Sequence, residues 1–586
     1  MHRLVQRLRS RVDGSSEEGF AMILVIGTTM VLTLIVAVIL AYATLSVLRS
    51  RHEQDYLAAI AAAQAGIDDY LSRLNADNTY WQTTDCANVA ERHPVTSGTA
   101  PCGWNRTTPV GWSPIAGTTS PTGVSCASTP TPVGCGIFHY DVDTSQTLSD
   151  GTIWLTSSGR SKTVTRSVKV SVREEGFTDF LYYSDIESVD PANRYVYGVN
   201  NGNAQAKCSH HYWDNSPRDT SYCSDIYWTD NDVINGPLHT NDALLITNNP
   251  TFNGPVSTSY PACAPNAHGQ PPPQATCYRN GGSAHPVFSK GISYASEVQL
   301  PPTNSALRAQ TDPTTATGTP GCLFTGPTRL RFNSNGTMTV WSPYTLSNSI
   351  GCGSAQPSNV TIPVPNNNVI YIQNVPSRQA TPRSGDCAAG AIGGYPQSGD
   401  VNYDYGEYDC RAGTAFVSGQ LSGRVTVGAD NNIIVVDDLT YAGGTNGADS
   451  LGLVANNSVE VYHPVRCTRW QGQTCTTGTN MDLPGQSSAF TNPVIDAAIL
   501  SLAHSVAVQV YPLGNPLGTL NVFGAMSQKY RGAVGTFSQQ TGDTSTGYYK
   551  SYSYDTRLKY APPPYYLDPV QTAYGVTTFA EVRAVY

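Results

Sequence analysis

The chain has 586 residues, a formal net charge of −9 and only 13% charged residues, against 53 Gly, 39 Pro and 34 Tyr. That length leaves room for several domains, and abundant Gly, Tyr and Thr suit a β-rich body with many turns. An acidic balance without a basic stripe argues against nucleic acid as a partner.

Residues 1–19 are polar, with Arg3, Arg7, Arg9 and Arg11, and end in Glu17-Glu18-Gly19. The thirty residues from Gly19 to Leu48 carry no charged side chain, and about 20 apolar residues suffice to cross a bilayer. The stretch is too long for a secretory signal core, and no A-x-A cleavage site follows it. The upstream arginines place residues 1–19 on the cytoplasmic side and everything after Leu48 outside. Residues 49–75 continue as a helix without proline. Leu57, Ile60, Ala61, Gln64, Ile67, Leu71 and Leu74 recur at helical spacing, so this part reads as an amphipathic stalk. Together the two halves predict a helix of about 55 residues, roughly 80 Å long.

A short basic leader, Gly19-Phe20, a long apolar helix and an amphipathic stalk together resemble a type IV prepilin. The resemblance covers about residues 14–75. It implies cleavage between Gly19 and Phe20 by a prepilin peptidase, and methylation of the new Phe20 amino terminus. It also implies packing with other pilin or pseudopilin subunits through the helix. The chain departs from the family at the fifth mature position, where major pilins carry Glu and this chain carries Leu24. That loss, and the Ala-rich AAAQAGIDDYLSRL segment, resemble PilX-type minor pilins.

Residues 76–135 are rich in Thr, Pro, Gly and Cys and read as an irregular, disulfide-tied segment. Over 136–175 apolar and polar residues alternate, predicting a small antiparallel sheet with a turn at the SSGR of residues 157–160. A first exported domain therefore spans about 76–175 beside the 20–75 helix, and a second spans 176–586. The strand-like pieces of the second, at 235–246, 251–259, 421–441, 450–462, 496–511 and 518–535, pair a Gly or Asn step with alternating apolar residues. The expected class is thus α+β at the N-terminus followed by a mainly-β domain, a parallel β-helix or alternatively a β-sandwich. The phrases Gly236-Pro237-Leu238-His239-Thr240-Asn241-Asp242 and Phe252-Asn253-Gly254-Pro255-Val256 resemble large C-terminal domains of PilX-like, pilin-anchored surface proteins. Long inserts at 260–290, 301–330 and 375–412 read as disulfide-pinned surface loops, and the Pro-aromatic 560–566 segment as an extended strand lying across the body.

All 14 cysteines follow residue 85. They fall as Cys86 and Cys102, Cys126 and Cys135, Cys208 and Cys223, Cys263 and Cys277, Cys322 and Cys352, Cys387 and Cys410, and Cys467 and Cys475. An even count in an exported chain reads as disulfides, although spacing does not fix connectivity. No C-x-x-C occurs, which speaks against zinc.

Four clusters carry groups capable of chemistry. His239-Thr240-Asn241-Asp242 reads as a self-bonded turn. His210 and His211 are adjacent, so on a strand they face opposite ways. Asp404, Glu407 and Asp409 offer oxygen ligands without EF-hand spacing. Asp437-Asp438 is the pair from which acid–base glycan cleavage would be built, and it also reads as an ordinary strand end. No nucleophile elbow, H-E-x-x-H or phosphate-binding loop appears. The expectation is a non-enzymatic, cofactor-free minor subunit of a pilus-like filament, at its tip or initiation point, anchored by one membrane pass. Its exported domain would bind a surface glycan or protein. The alternatives are a signal-anchored, β-helical polysaccharide-active enzyme and a plain membrane-anchored surface protein.

Overall fold

Helix α1 runs from Glu18 to Ala76, 59 residues and about 90 Å at 1.5 Å per residue. The computed structural model describes residues 18–586 except for short internal stretches, the longer ones being 94–100, 346–351, 353–358 and 379–389. From Met22 the helix is long and apolar enough to cross a membrane, with a peak mean hydropathy of 2.8 and nothing packed on that window. Its hydroxyls close back on their own helix: Thr28 bonds the Leu24 carbonyl at 2.8 Å and Thr29 that of Val25 at 2.8 Å. Hydroxyls bonded in this way need no outside partner in a hydrocarbon environment.

The chain divides into two units. The smaller comprises the chain up to Thr144, Ile153–Val172 and Val576–Tyr586; the larger comprises Ser145–Thr152 and Arg173–Gly575. In the smaller, strands β1 (Ser113–Pro114), β2 (Ile137–Asp143), β3 (Ile153–Ser161) and β4 (Val164–Glu174) form an antiparallel sheet in chain order. The second half of α1 packs on β2 and β3 through Ala59, Ala62, Ala63, Gly66, Ile67, Tyr70 and Leu74, all buried. This face is rotated from the expected stripe: Leu57 is 62% exposed, and Ala61 and Gln64 are exposed. The reason is steric. Gly159 of β3 meets the helix backbone so closely that a Cβ there would sit 2.7 Å from the Ala62 carbonyl carbon, and only a surface of Ala and Gly lets helix and sheet approach that far. The same contact corrects the expected turn. SSGR lies inside β3, and the chain reverses at Lys162, whose φ is 51°. Tyr140 on β2 ties the layers together by donating to Asp69 of α1 at 2.8 Å, and Lys162 pairs with Asp55 at 2.7 Å.

The fifth strand of this sheet, Tyr574–Val582, comes from the far end of the chain and lies next to β4. The Ser171 and Thr578 hydroxyls are 2.5 Å apart, and the Val585 amide donates to Ser167 Oγ at 3.1 Å. The expected 176–586 domain therefore loses its last eleven residues to the small sheet. Residues 173–575 form an insertion between two strands that are neighbours in one sheet. A strand can pair with any open edge of matching register, so its sequence does not name its partner.

The larger unit is β-rich, and most of its described strands belong to one 22-stranded hydrogen-bonded sheet. Its long ladder is parallel. In stacking order it passes through Cys322–Thr325, Asn368–Gln373, Arg424–Ala429, Ser450–Ala455, Val494–Ser501, Pro516–Arg531, Tyr182–Val189, Leu238–Thr240, Val256–Thr258 and Ile292–Tyr294. One register column down this ladder reads Cys322, Ile370, Val427, Leu453, Ile499, Met526, Tyr182, Leu238, Val256 and Ile292. All but Ile292 are buried, so an apolar column runs the length of the stack. A sandwich of antiparallel sheets does not fit these registers.

The stacking order is not the chain order. The chain begins mid-stack at Tyr182, winds to one end at Tyr294, and crosses back through residues 295–321. It then restarts at Cys322 and winds home until Met526 lies beside Tyr182. The crossing segment is pinned on the way: Asn241 Nδ2 donates to the Val298 carbonyl at 2.8 Å, and Asn304 Nδ2 to those of Ala429 and Val454 at 2.9 and 3.0 Å. The 560–566 segment also lies on strands of the stack, its Pro562 and Pro564 carbonyls accepting from Arg424 at 2.7 Å and Thr426 at 2.5 Å.

Candidate functional site

A second parallel ladder links Ala415–Leu421, Ile433–Tyr441, Val459–Val461 and Val506–Val508. Alternation sends Val459, Val461, Val506 and Val508 into the core. It leaves the column Phe416, Ile434, Glu460 and Ala507 on the other face. Tyr395 and Tyr408, from the 375–412 insert, stack on Phe416 with ring centroids 5.4 and 6.1 Å away. Beyond that cover a cleft of 370 Å³ opens, with Ile434, Glu460 and Ala507 in its lining.

The cleft walls come from distant parts of the chain. Asp190, Asn193, Arg194 and Tyr195, Asn402 and Tyr408, and Tyr511 all line it, while Asn431 and Asn457 stand at the turns between strands. Gln509 organises the interior. Its Nε2 donates to Glu460 at 2.6 Å, and its Oε1 accepts from Tyr408 at 3.1 Å and Asn402 at 3.3 Å. Asn457 donates to the Asn431 side chain at 2.5 Å, and Asn431 to Thr414 at 2.9 Å, a ladder of amides rising one strand at a time. His504 pairs with Asp190 at 2.9 Å. Burial disfavours the His504 cation, but the Asp190 carboxylate outweighs it and the imidazole titrates above its ordinary value. Gly532 is a close-approach position, a Cβ there lying 2.6 Å from the Val506 carbonyl carbon. None of these lining residues was singled out in the sequence as part of a cleft. The inward alternation around Val459 and Val506 was a usable signal for the floor; the walls carried none.

The sequence-derived clusters have other roles. His239 is buried between Ser257 Oγ, 2.8 Å away, and Asn241 Oδ1, 3.0 Å away, and burial holds its value down to about 4. Asp242 is fully buried and receives Arg218 at 2.5 Å together with the backbone amides of Glu187 and Tyr212. The HTND turn is thus a packing knot under the crossing segment. His210 meets the Ala206 carbonyl at 3.2 Å and His211 meets Asp185 at 3.1 Å, while Asp214 lies 4.0 Å from the first imidazole and 3.5 Å from the second. Asp437 accepts from Gln486 at 2.8 Å and Asp438 from the Val494 amide at 2.9 Å. Glu407 and the side chain of Asp404 lie outside the described residues, and Asp409 accepts from the Arg411 amide at 2.8 Å. Among the described residues no three His, Cys, Asp or Glu side chains gather as metal ligands.

Among the described residues six cysteine pairs are bonded: Cys86–Cys102, Cys126–Cys135, Cys208–Cys223, Cys263–Cys277, Cys322–Cys352 and Cys467–Cys475. Cys387 lies outside the described residues, and Cys410 is buried. Gly19 and Phe20 lie in the first turn of α1, and Leu24 is 57% exposed on it. The leader residues 1–17 lie outside the described residues.

His211 gives the larger unit a pH dependence. Burial opposes its charge, yet the Asp185 hydrogen bond and the nearby carboxylates raise it from 6.5 to about 9. A raised folded-state value means the stabilisation is complete below 6.5 and fades as pH climbs towards about 9. The slope is at most about 1.4 kcal/mol per pH unit. Denaturant midpoints measured across that window should fall in the native protein and fall less in His211→Gln; identical pH profiles for the two would refute the assignment.

No family model matches the sequence, and no curated protein matches it. Among solved structures, the competence-associated pilin ComZ from Thermus thermophilus aligns over 90% of this chain and 97% of that chain, with 12% identity and a TM-score of 0.26. A likeness at that level does not define a shared fold.

Proposed function

We propose that the chain is a pilin-like minor subunit of a type IV pilus or related filament, and that its larger unit is an exported parallel β-helix serving as a binding domain. The observation that carries this reading is α1 itself: an unbroken helix whose first half is apolar all round and bare, and whose second half docks on a small antiparallel sheet. A bare apolar helix is suited first to a bilayer and then to burial among equivalent helices. Gly19-Phe20 at its start is the place where a prepilin peptidase would cut. With Leu24 in place of the usual glutamate the subunit has no carboxylate with which to meet a neighbour's N-terminus, which suits a tip or initiation position. So does an insertion of about 400 residues, since a copy in every shaft position would crowd its neighbours. In this reading the N-terminus starts in the cytoplasm, the bulk is extracellular or periplasmic, and the partners are other pilins, the peptidase and a surface ligand.

The parallel registers and the apolar column support the β-helix reading, and the Asn431–Asn457 ladder is of the kind that stacked coils favour. Binding rather than catalysis is favoured because Asp437 and Asp438 are already engaged by Gln486 and Val494.

N-terminal mass analysis of the protein from its native membrane, with and without the prepilin peptidase, tests the reading. The expected result is a peptidase-dependent start at a methylated Phe20. A Met1 start in both strains would overturn it and leave a signal-anchored surface protein.

A further inference from the structure

The cleft beside Glu460 has a lining that selects a class of ligand. Its floor takes one residue from each of three successive strands, Ile434, Glu460 and Ala507. It stays open because Ala507, Gly532 and Ala533 project almost nothing into it. Six amide side chains line it: Asn193, Asn402, Asn431, Asn432, Asn457 and Gln509. An amide both donates and accepts, which suits a hydroxyl, a group that does the same. Tyr195, Tyr408 and Tyr511 add aromatic surface with a polar edge, which suits the C–H face of a pyranose ring.

The charges point the same way. Three cationic side chains line the cleft, Arg194, His504 and Arg531; Arg531 is committed to Glu187 at 3.1 Å and His504 to Asp190 at 2.9 Å, so the lining does not offer the cluster of uncommitted cations that a phosphate or carboxylate needs. On the acidic side Glu460 already accepts from Gln509, and no three acidic or imidazole groups among the described residues converge as a metal site requires. The 370 Å³ volume falls within the range of about 300–1,000 Å³ typical of small-molecule sites. The Asn431 and Asn457 amides repeat at the strand spacing, about 4.8 Å, and so offer equivalent hydrogen-bonding groups along a line. A linear glycan presents equivalent hydroxyls along a line in the same way.

We propose that this cleft is a saccharide-binding site that takes a short segment of a neutral, polyhydroxylated glycan chain, with Gln509 and Asn402 bonding its hydroxyls over the Ala507 floor. The proposal rests on reading the larger unit as a binding domain.

The test titrates the detergent-solubilised full chain with cellotetraose, chitotetraose, maltotetraose and xylotetraose, each to millimolar concentration, by calorimetry. At least one is expected to bind. Ala507→Trp, which puts an indole on the floor, should weaken that binding about tenfold or more, equivalent to roughly 1.4 kcal/mol, with the thermal transition unchanged. Asn402→Ala lies on a short helix, Val401–Asp404, outside the strands. It should also weaken binding, and it serves as the test if the tryptophan variant does not fold. Absence of binding by all four sugars, or binding undiminished in the folded variants, would overturn the proposal. Neither result depends on cleavage at Gly19, so the failure of this site and the failure of the pilin reading are separately visible.

Discussion

Valine at position 159 will part the amphipathic half of α1 from its sheet. A Cβ on Gly159 would fall inside the van der Waals envelope of the Ala59 carbonyl and the Ala63 amide, and 2.7 Å from the Ala62 carbonyl carbon. These are backbone atoms of a continuous helix, so no side chain can turn aside to make room. Moving the helix outward gives up the packing of Ala59, Ala62, Ala63, Ile67, Tyr70 and Leu74, each at most 3% exposed. The expected cost is at the upper end for a single substitution, about 4–5 kcal/mol. Gly66→Ala should cost less, about 1–3 kcal/mol, because its new methyl meets first the Ser157 hydroxyl and the Phe138 ring, which are able to shift. Hydrogen exchange over residues 55–75 of the full chain reads both. Gln64→Ala, on the exposed face of the same helix, is the control and should fall within about 0.5 kcal/mol of the native protein. Protection of the 59–74 amides in Gly159→Val equal to that of the control would show that the close approach does not hold this layer.

Arg531→Met will open the larger unit at the place where its winding closes. Arg531 ends the 16-residue strand Pro516–Arg531, and Glu187 lies on the strand that begins mid-stack; the two strands pair in register at Met526 and Tyr182. The ion pair spans that seam at 3.1 Å with both side chains at most 2% exposed. The guanidinium also donates to the Ile226 and Tyr227 carbonyls and lies 3.8 Å from the Trp228 ring centroid. Removing it strands a carboxylate in the core, which typically costs about 3–5 kcal/mol. Glu187→Gln combined with Arg531→Met should recover part of that loss, because a neutral amide needs no counter-charge and Ser184 remains beside it. A denaturant double-mutant cycle reads the coupling. Losses that simply add would show that the pair does not hold the seam. With coupling present, exchange in 182–189 and 516–531 should rise before that in 424–455.

The seam illustrates how far the sequence could be read. The strand-like pieces at 421–441, 450–462 and 496–511 are legible because Val, Ile and Leu alternate with small or polar residues, and each contributes strands to the ladders. Nothing in Tyr182–Val189 announces that its neighbour lies more than 300 residues away. The expected turn at SSGR failed for a related reason. Glycine marks either a turn or a close approach, and only the presence of Ala59 and Ala63 over Gly159 decides which. The expected stripe of the stalk held at Ile67 and Leu74, which are buried, and missed at Leu57, Ala61 and Gln64, which are exposed, because hydrophobic periodicity ranks residues by aversion to water, whereas this helix is seated by size.

By itself the sequence determined the long uncharged helix after Gly19, the grouping of cysteines into near neighbours and the strand content of the body, since each follows from local composition and period. Only the tertiary structure decided that the last strand returns to the small sheet, that the stack is wound out of chain order, and that Asn402, Glu460 and Tyr195 line one cleft. The physical reason is common to all three. Backbone hydrogen bonds between strands are chemically alike, so a partner is chosen by which edge the rest of the fold leaves open. A cleft exists only where segments remote in sequence are held apart by residues too small to fill it.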